Sequence, residues 1–182
     1  MKNVLLISSM ALFAVLPLSA QKYVAKNGHI RFFSETPAEN IEAHNRQVNA
    51  ALDLSNGALV FKVLIKSFEF EKALMQEHFN ENYMESDQFP NATFNGKLSD
   101  PLAFSKASKG PVKVTLEGDL TIHGVTRKVK ETATLEWKGE DVSGQAKFIV
   151  KPADYNIRIP AAVANNIAKE IEVSVDVNLK AL

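Results

Sequence analysis

The stretch HFNENYMESDQFPNATFNGKL (His78–Leu98) changes its period halfway along, and that change decides the fold. Up to Tyr83 it belongs to a helical run, EKALMQEHFNENY (Glu71–Tyr83). Leu74, Met75, His78, Phe79, Asn82 and Tyr83 recur there at three- and four-residue spacing, on one face. Glu85-Ser86-Asp87 breaks the pattern, and Pro90 disfavours the helical region for Phe89. Beyond the proline the period is two: Ala92, Phe94, Gly96 and Leu98 face one way, Thr93, Asn95 and Lys97 the other. A short amphipathic helix that turns directly into a half-buried strand is expected to plug one end of a structure built of strands.

The flanking sequence supplies those strands. Downstream, Val112, Val114, Leu116, Gly118, Leu120 and Ile122 alternate with polar residues, and Gly124 makes a turn. Val129, Ala133, Leu135 and Trp137 continue on the next strand, where Glu131 occupies an inward position out of keeping with the rest; a bulge that flips it outward is the expected remedy. Val142 to Val150 and Ile171 to Ala181 complete the set. Upstream, Ala58–Phe70 reads as one strand with Leu59, Phe61, Val63 and Ile65 on one face. Val60 and Leu64 make its other face apolar too, as if the helix lay over it. Val48, Ala50, Leu52 and Leu54 mark a strand hairpinned to it through Asn56-Gly57, with Asn40 to Arg46 the least regular part; from Gly28, Ile30, Phe32 and Ser34 form the first strand.

One apolar and one polar face per strand, with short turns, describes antiparallel sheet solvated on one side. About eight such strands either stack or close into a barrel whose interior holds side chains or one ligand. The reading adopted is all-β, an eight-stranded antiparallel barrel with the helix closing one end. Small inward residues (Ala92, Gly96, Gly118, Ala133, Gly144, Ala146) point either to interior space or to tight bends.

Residues 1–20 carry Lys2, an apolar run from Val4 to Leu18 and a Leu18-Ser19-Ala20 cleavage site, the anatomy of an export signal cut after Ala20. The domain is then 21–182, periplasmic or secreted, without cysteine and without disulfides. No stretch of the mature chain is apolar over eighteen residues, so no membrane-spanning helix is expected. The 21 basic and 21 acidic residues balance, with no basic run or aromatic ladder for nucleic acid. Monomer and homodimer both remain open.

Catalytic chemistry finds no support. His78 and Glu81 share a helix face at i, i+3, but no second ligand pair lies at a metal-binding spacing, and there is no nucleophile elbow. No enzyme, metal or other cofactor is expected. The aromatic residues say more. Phe32, Phe61, Phe68, Phe79, Phe89, Phe94, Trp137 and Phe148, together with Leu120, are the candidate lining of an apolar lumen. A charged head group is expected at the mouth, near Arg127, Lys128 or Arg158.

GDLTIHGVTRKV (Gly118–Val129) and HFNENYMESDQFPNATF (His78–Phe94) together resemble the two signature stretches of the YceI-like proteins. The resemblance implies a lipocalin-like barrel, closed at one end by a helix, whose apolar channel binds a polyisoprenoid or another amphiphilic lipid. A barrel with a solid core, using the helix Lys72–Tyr83 as a protein-contact surface, is the alternative.

Overall fold

The computed structural model describes residues 22–182; the export signal expected at 1–20 lies outside the described residues. Its strands are β1 (Lys22–Glu35), β2 (Asn40–Asp53), β3 (Ala58–Leu64), β4 (Glu69–Phe70), β5 (Asn91–Leu98), β6 (Val112–Ile122), β7 (Val125–Lys138), β8 (Asp141–Val150) and β9 (Ile171–Ala181). A single short α-helix, α1 (Ala73–His78), lies between β4 and β5. Every pairing is antiparallel. Each long strand pairs with its neighbours in the chain, and β1 joins both β2 and β9, so eight strands close into an up-and-down barrel. The two-residue β4 is an annex on Ala43 and His44 of β2.

Alternation is clean where the ladders are unbroken. β6 and β7 stay in register from Val112/Leu135 to Ile122/Val125, and the two-residue turn between them places His123 and Gly124 at φ 49° and 72°, the left-handed conformations such a hairpin needs. β1 and β2 are different. Between Ala25/Ala50, Gly28/Val48 and Ile30/Asn45 the pairing slips twice, once by an extra residue in β1 and once by an extra residue in β2. The bulge in β2 carries Asn45, which is fully buried. Its Nδ2 donates to Leu64 O at 2.9 Å, and its Oδ1 accepts from Gln47 N at 2.9 Å.

Of two buried clusters among the described residues, the larger fills one end of the barrel, and the smaller, Ile30, Ala43, Val48, Val63 and Phe68, packs with Phe32, Phe70 and Phe79. Tyr23, Leu52, Leu59, Leu98, Phe104, Leu135, Val142 and Leu179 lie in the larger, at the packed end. Trp137 belongs to this end and not to the lumen: it stacks on Phe104 at 5.1 Å, meets Tyr23 edge-on at 5.7 Å, and donates from Nε1 to Ser105 O at 2.7 Å. Its strand phase is inward, but it sits at the last pairs of β7 and β8, where the wall folds shut over Phe104.

Three further expectations are corrected. The run Ala58–Phe70 is not one strand; it breaks into β3 and a 3₁₀ turn at Ile65–Ser67. Val60 and Leu64 are 43% and 42% exposed, so no helix covers that face. Glu131 is not flipped outward, because the β6–β7 ladder passes through Leu116/Glu131 without a bulge. The glycines of β5 and β6 mark close approach, not empty space. A Cβ on Gly96 would come within 2.5 Å of Phe94 Cζ and Glu117 O, and one on Gly118 within 2.5 Å of Asn95 O. The Phe94 ring therefore lies against bare backbone.

Candidate functional site

Above the packed end the barrel is hollow. Phe61, Phe94, Leu116, Leu120, Val129, Phe148, Val173 and Val175 all take the inward phase, yet each is only half-buried. In a solid core the inward face of every strand is covered. Here it borders a cavity of about 520 Å³ that reaches from Leu52, Leu59 and Leu179 to the mouth. That size falls within the range of small-molecule sites. Of the nine residues proposed from sequence, Phe32, Phe61, Phe68, Phe79, Phe94, Leu120 and Phe148 line the cavity, and Trp137 and Phe89 do not. Phe89 packs on His123 at 4.6 Å, outside it.

The helix does face the mouth, though its form differs from the expected Glu71–Tyr83. Six α-helical residues run into a π-helical turn at Phe79–Tyr83, closed by Met84 N donating to Phe79 O at 2.8 Å. Leu74, Met75, His78, Phe79 and Tyr83 border the cavity, while Asn82 is exposed. The extra residue of the wider turn rotates Asn82 off the apolar face. Phe79 anchors the helix by stacking on Phe32 at 5.5 Å and meeting Phe70 at 5.0 Å.

Opposite the helix, the mouth is built by a segment without periodic signal, residues 151–170. Ile157, Ile159, Val163 and Ile167 border the cavity, and Arg158, between two of them, is exposed. Asn166 Nδ2 donates to Glu39 Oε2 at 3.3 Å and Ala168 N to Ser34 Oγ at 2.8 Å, which ties the segment to the β1–β2 end. Of the residues expected to meet a head group, Arg158 does lie beside the mouth, and only the placement near Arg127 and Lys128 is corrected. Arg127 Nε donates to Asp154 O at 2.9 Å and Lys128 pairs with Asp119 at 3.2 Å, and neither borders the cavity. The charges that border the cavity at the mouth are Glu39 and Lys72, paired at 3.2 Å. Lys72 and then Asn166 hold the Glu39 carboxyl below its usual range.

His78 borders the mouth and Glu81 is exposed; among the described residues no group of three or more His, Asp or Glu side chains is placed to hold a metal. His123 bridges the Glu85 carboxylate at 2.8 Å and Tyr155 O at 3.2 Å, a tie between three loops at the barrel's open end.

Glu131 is the polar exception in the lumen wall. Burial, the sole cause acting on it, raises its pKa above the ordinary carboxylate value. The folded chain therefore holds this proton more tightly than the unfolded chain does. Its contribution to stability is complete below the unfolded pKa and is lost as pH rises through the folded one. Glu131→Gln is expected to remove that loss. Denaturation midpoints of the two proteins should agree at about pH 4 and separate in the variant's favour toward pH 7. A difference independent of pH would place the carboxyl in water.

A closed up-and-down barrel, packed at one end, hollow at the other and covered there by a short helix, is a lipocalin-like barrel. The YceI-like domain family matches residues 22–179, and the chain belongs to it. In fold it is similar to a polyisoprenoid binding domain from Saccharophagus degradans implicated in plant cell wall breakdown, at TM-score 0.77 and 15% identity, over 90% of this chain and 99% of that one. It is also similar to Burkholderia cenocepacia BcnA (TM-score 0.69, 15% identity, 83% and 95% covered) and to a Campylobacter jejuni YceI protein (0.56, 15%, 98% and 97%). Among curated proteins none matches.

Proposed function

We propose that the protein is an exported, non-enzymatic carrier that holds a long apolar chain, a polyisoprenoid or a similar amphiphile, in its barrel. The observation that carries this reading is the hollow apolar interior of about 520 Å³, opening between α1 and residues 157–167. Each methylene moved from water into such a wall contributes about 0.8 kcal/mol, so a chain of moderate length overcomes the cost of association. The polyisoprenoid binding domain of similar fold supports the choice of chain, and the apolar run and cleavage site within residues 1–20 support export to the periplasm or beyond.

The test is mass spectrometry of protein recovered from a periplasmic extract without detergent. An organic extract should yield an apolar chain close to one per protein. The intact mass of the same sample should correspond to a chain that begins at Gln21. Well-folded protein that yields no chain, and takes up none from prenyl alcohol micelles, would overturn the carrier reading.

A further inference from the structure

The lumen's charged side chains are few, and their positions are unequal. Glu39 and Lys72 neutralise one another at the rim, where the Lys72 side chain is 63% exposed. Deeper in, Glu131 stands on β7 between Val129 and Ala133, opposite Leu116 on β6. Ala133 already belongs to the packed end, so Glu131 is at mid-depth. Among the described residues it makes no hydrogen bond and no ion pair; burial raises its pKa, and its charge in turn contributes to the raised pKa of the Tyr155 phenol. No Lys or Arg side chain among the described residues lines the cavity below the rim.

Resting on the carrier reading, we propose that the lumen selects an amphiphile whose apolar chain carries a protonated amine, with Glu131 as its counter-ion. The argument is one of complementarity. A carboxylate set in an apolar wall is costly unless a partner of opposite charge reaches it, and none of the described residues supplies one. A ligand amine reaching Glu131 supplies one, in a site where little water competes. An anionic head carried to the same depth meets like charge and no cation. It must stay at the rim or outside, leaving its chain less deeply buried.

The experiment compares three ligands of equal length, hexadecylamine, hexadecanol and hexadecanoate, each below its micelle concentration, with the purified protein at pH 7. Affinities are read by displacement of a fluorescent apolar probe. The amine is expected to bind at least about tenfold tighter than the alcohol, with the carboxylate weakest. In Glu131→Gln the ratio of amine to alcohol should collapse toward one. In Asp119→Asn, which removes a carboxylate from the outer face of β6, the ratio should persist; circular dichroism establishes that each variant is folded. Equal binding of amine and alcohol by the parent protein, or a preference that survives Glu131→Gln, overturns the amine proposal and leaves the carrier reading standing. Failure of all three ligands overturns both.

Discussion

Ala146→Trp is expected to abolish lipid capture without unfolding the barrel. Ala146 points inward on β8, between Ala133 of β7 and Val175 of β9, and borders the cavity where it meets the packed end. An indole there displaces on the order of five methylenes of any bound chain. At about 0.8 kcal/mol each, that is a loss of about 4 kcal/mol, or roughly three orders of magnitude in affinity. In a solid core the same substitution would overpack, at a cost of about 1–3 kcal/mol in stability. A hollow interior receives the ring with little strain. The substitution thus separates the two architectures open from sequence: lost binding with an unchanged denaturation midpoint marks a lumen, and a lowered midpoint marks a filled core. Lys147→Trp, one residue on and facing outward, controls for the added aromatic ring. If Ala146→Trp bound a prenyl chain as the parent does, the cavity would not be the site.

What the sequence made legible follows from what a strand's period encodes. β6 and β8 could be read because one face is solvated and their ladders on both sides are unbroken, so phase alone assigns every side chain to inside or outside. β9 keeps its own alternation because the slip in its ladder with β1 adds its residue to β1. Phase does not report height along the barrel. Trp137 and Phe148 share an inward phase, yet one closes the packed end and the other lines the cavity. Arg127, level with Leu120 in the β6–β7 ladder, swings to a backbone carbonyl of the 151–156 turn, a contact that no local pattern contains. The register slips made the first hairpin the hardest part to read. Each extra residue reverses the alternation, so Ala25 and Gly28 share a face, as do Asn45 and Val48. Residues 151–170 carry no periodic signal, so their place at the mouth was not legible. Glu131 was conspicuous in sequence for the same reason that it matters in the fold: it breaks an apolar face, and no bulge removes it.

Asn45→Ala is expected to have the largest effect on stability. Its amide satisfies two backbone groups that no ladder reaches, the Gln47 N–H inside the bulge and the Leu64 carbonyl at the last residue of β3. Truncation strands both, and a donor or acceptor left unsatisfied in a buried setting costs about 1–3 kcal/mol. With partial repair by water, a net loss of about 2–4 kcal/mol is expected, read as a fall in the urea midpoint. Asn45→Asp should do worse at neutral pH, because a carboxylate replaces the donor that faces the Leu64 carbonyl; it should recover in acid, where the protonated group donates again. The position bears on function through the route of the chain. Leu64 is where the backbone leaves the wall for the excursion that carries Phe68, Phe70 and α1 to the mouth. Loosening that anchor should speed exchange of a bound chain in Asn45→Ala under conditions where the barrel remains folded. An unchanged midpoint and an unchanged exchange rate would mean that the β2 bulge holds itself together without this side chain, and that the Phe79 contacts and the Glu39–Lys72 pair suffice to secure the mouth.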